Sequence, residues 1–451
     1  MQLPPLFYQP HLHGTGEAVK KRGKYSIIGW SLYDWANSAF TTTVVAGFFP
    51  VFFKQYWCAG MEAAGSTARL GIGNSMAGVM VAVMAPVLGA IADRGSARKR
   101  FLTFFAYLGV LTTALLFVVA EGEWALALLL YIFAASAFGS GNVFYDSLLT
   151  LVAPRDRMES VSSLGYALGY LGGGILFALN IWMVTSPATF GLSSAAEAVR
   201  YSFLTVALWW GIFTIPVIIF VEEKRPPEGV KRRVMIKEGL AELRSTFGEI
   251  RKLRHIFLFL LAYWFYIDGV DTVVRMAVDY GLSIGLESSD LMLALLATQL
   301  IGFPAALGFG YIGRRIGARR GIYIAIAVYL LVSIGASFMT TREEFFILAA
   351  VVGLVQGGIQ ALSRSFFARM IPAGKSAEYF GFYNLVGKFA AVIGPGLMGA
   401  VAVLASRAGA GGTLATRISI ASVSVLFIAG GVLFYFVDRE EGRRETTRLE
   451  S

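Results

Sequence analysis

The sequence predicts an all-α membrane protein: twelve transmembrane helices in two pseudo-symmetric six-helix bundles. Three observations carry that prediction. Hydrophobic residues make up 56% of the 451-residue chain and charged residues only 15%, where a soluble domain carries about 25% charged residues. Apolar runs of about twenty residues, the length that crosses a bilayer as a helix, recur along the whole chain. The two halves of the chain also repeat one another's motifs. A water-soluble enzyme is excluded on composition alone.

Taken in order, residues 1–24 form a polar cytoplasmic tail ending Lys20-Lys21-Arg22-Gly23-Lys24. It lacks the apolar core of a cleavable signal peptide, so the first span is expected to act as an uncleaved anchor. An N-terminal bundle is expected over 25–221, with spans near 27–53, 70–92, 101–120, 124–150, 160–184 and 201–221. A charged cytoplasmic linker occupies 222–255. Within it Ile236, Leu240, Leu243, Phe247 and Ile250 recur at steps of four and three, which is one apolar helix face. The linker is therefore expected to lay an amphipathic helix on the bundle or on anionic lipid. The C-terminal bundle follows over 256–437, with spans near 256–278, 291–312, 322–340, 345–367, 377–405 and 418–437, and 438–451 is a second cytoplasmic tail.

Lys and Arg placement sets the orientation. With both termini in the cytoplasm, 30 of the 39 basic residues fall on the inner side and six on the outer, as positive-inside topology requires. The same asymmetry accounts for the net charge of +10 without nucleic acid, for which the chain carries no recognisable binding module. If the chain is bacterial, the membrane is the inner, or cell, membrane. A lone cysteine, Cys58, leaves no intrachain disulfide and no multi-thiolate metal site. His11, His13 and His255 all lie outside the spans, so no span offers a haem ligand or an imidazole base. No cofactor, metal or catalytic residue is expected. The glycines at Gly172-Gly173-Gly174 lie within span five with no Gly-Lys-Ser/Thr after them, so they form no phosphate loop. Any energy input comes from an ion or solute gradient.

The internal repeat is visible in two places. Span two ends Gly89-Ala-Ile-Ala-Asp93-Arg94-Gly95-Ser-Ala-Arg98-Lys99-Arg100, and span eight ends Gly310-Tyr-Ile-Gly-Arg314-Arg315-Ile-Gly317-Ala-Arg319-Arg320. Asn142-Val-Phe-Tyr-Asp146-Ser147 before Pro154 matches Gln360-Ala-Leu-Ser-Arg364-Ser365 before Pro372 at nearly the same offset. Repeated halves with a midplane site between them are a common transporter plan.

The Gly89–Arg100 segment resembles the loop signature of the major facilitator superfamily, Gly-x-x-x-Asp-Arg-x-Gly-Arg-Arg. Here Gly95 directly follows Arg94, and in the second copy Arg314 replaces the acid. Tyr33-Asp34-Trp35-Ala36-Asn37-Ser38-Ala39-Phe40, Phe48-Phe49-Pro50-Val51-Phe52-Phe53-Lys54, Asp268-Gly269-Val270 and Gln356-Gly357-Gly358-Ile359-Gln360-Ala361-Leu362-Ser363-Arg364-Ser365 narrow the likeness. They resemble the branch of autophagy-related vacuolar amino-acid effluxers and their bacterial relatives. That resemblance implies two bundles working by alternating access, a small-molecule cargo, and a gating role for Asp93 with Arg94 and Arg98. For the fungal members it implies amino-acid export from the vacuole.

Charged residues inside spans are expensive and face a partner or a wet cavity. The candidates are Asp34, Asp146, Asp268, Asp271, Arg275, Arg364 and Lys388. Asp34, Asn37, Ser38 and Thr41 share a face of span one, as do Asn142 and Asp146 on span four, Gln356, Gln360 and Ser363 on span ten, and Asn384 and Lys388 on span eleven. In the superfamily fold, spans one, four, seven and ten line the cavity. The candidate substrate-binding set is therefore Asp34, Asn37, Asn142, Asp146, Gln356, Gln360, Arg364 and Lys388. Asp34, Asp268 and Asp271 are candidates for proton coupling, and Asp271 with Arg275 for an internal salt bridge. Asp146 and Arg364 either touch substrate or latch the bundles together. The expected function is secondary active transport of a small polar solute, amino acids first, by a monomer in contact with lipid. A lipid-like or drug-like cargo, a channel, and a non-transporting receptor or scaffold are the alternatives.

Overall fold

In the computed structural model, residues 16–223, 248, 253–283 and 286–450 are described. The amphipathic linker helix expected around 236–250 lies outside the described residues, apart from Gly248. Helix α1 (Gly16–Ala39) continues through a π-helical stretch (Phe40–Phe48), one α-turn (Phe49–Phe52) and a second π-turn (Phe53–Trp57). Then come α2 (Ala63–Arg94), α3 (Arg98–Leu115), α4 (Trp124–Val152), α5 (Met158–Thr185) and α6 (Ala195–Phe220). The second half contains α7 (Arg254–Ser283), α8 (Ser288–Ile316), α9 (Ala318–Ala336), α10 (Arg342–Met370) and α11 (Ser376–Arg407). It closes with α12 (Gly412–Ser422) and α13 (Ser424–Tyr435), two pieces of one span that meet at Val423, and α14 (Arg439–Glu450).

Eleven of these segments are long and apolar enough to cross a membrane, and α11 holds a shorter apolar stretch at Ile393–Arg407. With α11 as the twelfth, the chain is an integral, multi-pass membrane protein of twelve spanning helices. Helix α1 starts well before the apolar run at 27 because backbone hydrogen bonding carries a helix through polar sequence. Hydropathy marks only the part that suits the bilayer.

The two halves meet along two antiparallel seams, α2 against α11 and α5 against α8, with α10 crossing to α5 and α4. Glycine makes the first seam possible. A Cβ on Gly89 would lie 2.4 Å from the Ala377 carbonyl oxygen, and one on Gly381 would lie 2.7 Å from Pro86 Cα. Both obstacles are backbone, so neither can swing aside. Small residues give close helix approach in membranes, where no hydrophobic force separates helix from lipid.

The polar C-terminal segment is a docked helix. Asp438 Oδ1 accepts from the N–H groups of Glu440 (2.8 Å) and Glu441 (3.1 Å), capping α14. These donors hold the Asp438 carboxyl below the usual carboxylate range, so the charged cap persists at neutral pH and is lost only on acidification through that lowered value. The Asp438 N–H donates to His255 Nδ1 (3.0 Å), the His255 N–H donates to Glu445 Oε2 (3.2 Å), and Thr446 donates to the Met370 carbonyl (3.1 Å). Helix α14 thus joins the start of α7 to the end of α10.

The α2–α11 seam generates a direct test. Gly381→Val should lower the thermal midpoint of the detergent-purified protein, as expected for overpacking that costs about 1–3 kcal/mol. Gly396→Ala, on the same helix with nothing within 4 Å of its Cβ position, should leave the midpoint unchanged or raise it.

Candidate functional site

The site is built around Arg364, an arginine of the C-terminal half seated in a socket of the N-terminal half. Arg364 is 1% exposed. Its Nε donates to Ser162 Oγ (2.9 Å), its Nη2 to the Ser162 carbonyl (2.8 Å) and its Nη1 to Asp146 Oδ1 (3.1 Å). Asp34 Oδ2 lies 3.7 Å from Nη1. Three ring faces close round the guanidinium: Tyr166 at 4.3 Å, Trp30 at 4.9 Å and Tyr145 at 5.3 Å. Each of these residues belongs to α1, α4 or α5. A lone charge at mid-span costs roughly 2.5–3.5 kcal/mol. One hydrogen-bonded carboxylate, a second at 3.7 Å and three ring faces offset that cost.

The socket residues are also bonded to one another. The Trp30 indole stacks on Tyr145 at 4.4 Å, and its N–H donates to the Tyr145 carbonyl (2.8 Å). The Tyr145 hydroxyl donates to Asp34 Oδ2 (2.7 Å). Gly165 of α5 leaves the space for this group, since a Cβ there would lie 2.8 Å from Asp34 Oδ2. The hydrogen bond and the ion pair of Asp34 both use Oδ2, so Oδ1 is left without a partner among the described residues. Asp146 differs: Oδ1 takes Arg364 and Oδ2 takes Asn384 of α11 (3.1 Å). Asp146 is therefore tied to two helices of the opposite half.

The other candidates fall around this centre or away from it. Asn37 Nδ2 donates to Asn142 Oδ1 (2.7 Å), joining α1 to α4. Gln356 and Gln360 are half-buried on α10. The side chains of Lys388 and Arg275 lie outside the described set, so the expected Asp271–Arg275 pair does too. Asp268 is fully buried elsewhere: both its oxygens accept from the Gly394 N–H (3.1 Å each), and Thr272 donates to Oδ1 (3.3 Å). Gly394-Pro395-Gly396, where the sequence suggests a bend, lies inside α11.

Beyond the socket, toward the end carrying the basic loops, the halves are joined by polar contacts. Asp93 accepts from Arg98 Nε (2.6 Å) and from the first-turn N–H groups of α11, Ala377 (3.1 Å) and Glu378 (2.8 Å). Those N–H groups have no partner inside their own helix and carry the positive end of its dipole. Arg98 Nη2 also reaches the Gly374 carbonyl (3.4 Å), while Arg94 ends α2 exposed. The second repeat has Arg314 where the acid stands in the first. Here Arg314 is exposed, and the ion pair between the halves on this side is that of Glu159 of α5 with Arg369 of α10.

Trp30, Tyr145, Ser162, Tyr166, Glu159 and Arg369 are absent from the sequence-derived candidates. A weak signal existed: Trp30 precedes Asp34 by one turn, Tyr145 adjoins Asp146, and Ser162 and Tyr166 share a face of α5. Aromatic and small residues at helical spacing look like packing until the charge they surround is located.

The chain matches the family model described as "Vacuole effluxer Atg22 like" over residues 66–158 and 152–447. It is 40% identical over 414 residues to the MFS-type transporter YxiO of Bacillus subtilis (strain 168), covering 91% of this chain and 94% of that protein. Autophagy-related protein 22 of Yarrowia lipolytica is 26% identical over 460 residues, covering 83% of this chain and 76% of the relative. Among solved structures, the proton:xylose symporter XylE superposes with a TM-score of 0.67 at 12% identity, over 97% of this chain and 100% of that one. FucP in its outward conformation also gives 0.67 at 12% identity, over 92% and 98%. At such identity these two likenesses establish the fold alone.

The socket predicts a coupled pair of substitutions. Arg364→Gln leaves Asp34 and Asp146 without their shared counter-charge and should cost about 3–5 kcal/mol of stability. Adding Asp146→Asn should recover part of that loss, so the double variant should melt above Arg364→Gln alone. A double variant that melts lower, by the sum of the two single effects, would show that the residues act independently.

Proposed function

The chain belongs to the Atg22-like branch of major facilitator transporters, and from that premise we propose that it is a secondary active carrier of small polar solutes, amino acids first. It is a transporter rather than an enzyme, and a bilayer surrounds it. In our reading the two halves rock about a midplane site between α1, α4, α7 and α10. The observation that carries this reading is the charged cluster of Asp34, Asp146 and Arg364 in the spans, directly above a sealed end. A membrane protein whose only task were to pack its helices gains little from a buried ion cluster, which well-packed apolar residues can replace without loss.

The spare oxygen of Asp34 supports it as the acceptor of a substrate ammonium or of a coupling proton. Asp268, enclosed by Gly394 and Thr272, and Asp271 come second for the proton. Asn37, Asn142, Gln356 and Gln360 supply neutral polar contacts, and Lys388 is the candidate for a substrate carboxylate, since the donors of Arg364 are engaged. Asp93 with Arg98, backed by Glu159 with Arg369, forms the gate in this scheme, and Arg94 at the end of α2 completes the motif. We assign the basic-loop end and both termini to the cytoplasm, and a monomer as the working unit, in the cell membrane if the chain is bacterial.

Uptake of a labelled amino-acid mixture into proteoliposomes, with and without an imposed pH gradient, tests the proposal. Saturable accumulation driven by the gradient is expected, and Asp34→Asn should reduce it at least tenfold. Saturable counterflow indifferent to pH would remove the proton and keep the carrier. No saturable uptake of any amino acid by folded protein would overturn the assignment of the cargo.

A further inference from the structure

We propose that the Arg364 socket is a binding site for a small organic cation, and that Arg364 is its built-in occupant while the basic-loop end is sealed. The inference rests on the reading of the chain as an alternating-access carrier. The first observation is the division of partners. Among the described residues, the hydrogen bonds, ion pairs and ring contacts of the guanidinium come from Trp30, Asp34, Tyr145, Asp146, Ser162 and Tyr166, all in the N-terminal half. Arg364 itself stands on α10 of the other half.

Opening the sealed end must part α10 from α4 and α5, because Glu159 and Arg369 sit on the same pair of halves one to two turns away. Arg364 then leaves the socket. What remains is two carboxylates and three aromatic faces in the low-dielectric space between the spans, with no cation among the described N-terminal residues that face it. Like-charged carboxylates in such a place are unfavourable unless a cation or protons take the vacated position.

The socket's walls specify what fits. Stacked rings at 4.3–5.3 Å from the guanidinium carbon are a recognition surface for ammonium and guanidinium groups. The Ser162 hydroxyl and carbonyl and the Asp146 carboxylate accept N–H donors in the plane of a guanidinium, and planar, forked donors bind such acceptors best. A neutral isostere presents the same shape without the charge and gains neither interaction. A solute with a guanidinium or ammonium head would therefore compete with Arg364, so loading the site and releasing the seal become one event.

Arg364→Ala empties the socket without touching its walls, and methylguanidinium is the probe. Titration calorimetry on the purified variant should show saturable binding at least tenfold tighter than to the unmodified protein, in which Arg364 holds the place. Methylurea, neutral and of the same shape, should not bind, and Asp146→Asn added to Arg364→Ala should abolish the methylguanidinium signal. Folded Arg364→Ala that binds neither compound, or binds both alike, would overturn the proposal. If the variant does not fold alone, methylguanidinium in the purification buffer should restore a cooperative melt, and failure of that rescue where Arg364→Lys folds would count equally against it. Amino-acid uptake plays no part in this readout, so the cargo assignment and the socket can fail separately.

Discussion

The structure depends on one buried arginine crossing between halves. Arg364 places a permanent charge inside a bilayer-spanning helix, within two turns of its basic-loop end, and the opposite half supplies everything that makes this tolerable. The pairing is a product of the internal repeat. Asp146 and Arg364 occupy matching positions in the two halves, so the pseudo-two-fold axis brings them face to face at 3.1 Å. Opposite charges at equivalent positions give the halves a mutual attraction that two identical halves would lack.

Around that contact the rest of the architecture brings the two halves close together. The glycine seam of α2 and α11 brings backbones into contact near the basic-loop end, and Asp93 then caps the first turn of α11 across the seam. Gly165 gives Asp34 its room on the N-terminal side. These are short-range, geometrically demanding contacts, of the kind that are either made or broken. An interface of that character suits a protein that alternates between two arrangements.

Much of this was legible in the sequence. A charge inside an apolar run is conspicuous, so Asp34, Asp146 and Arg364 are evident in the sequence itself, as is the repeat that pairs the last two. The loop motif pointed to Asp93 and Arg98. What was not legible is what surrounds the charges. Trp30, Tyr145 and Tyr166 have the composition of ordinary packing, and only three-dimensional placement turns them into a cation cage. The Glu159–Arg369 pair could not be found by alignment of the repeats, because neither residue belongs to the loop motif. Helix α14 was hidden for the opposite reason: its sequence is polar throughout, and its docking depends on Thr446, Glu445 and Asp438 meeting partners far away in the chain. The π-helical stretch of α1 has no apolar periodicity of its own to announce it.

The most direct measurement is the separation of the two halves at the basic-loop end, with and without the arginine. Cys58 is buried, and replacing it with serine leaves a background for spin labels at Arg155→Cys and Gly374→Cys, two exposed turns on opposite halves. Pulsed electron–electron distance measurements in liposomes should give mainly a short distance with Arg364 present. A shift of population to a longer distance is expected with Arg364→Gln. An unchanged distribution in folded Arg364→Gln protein would contradict the account, because the seal would then hold without the interaction on which it is said to depend.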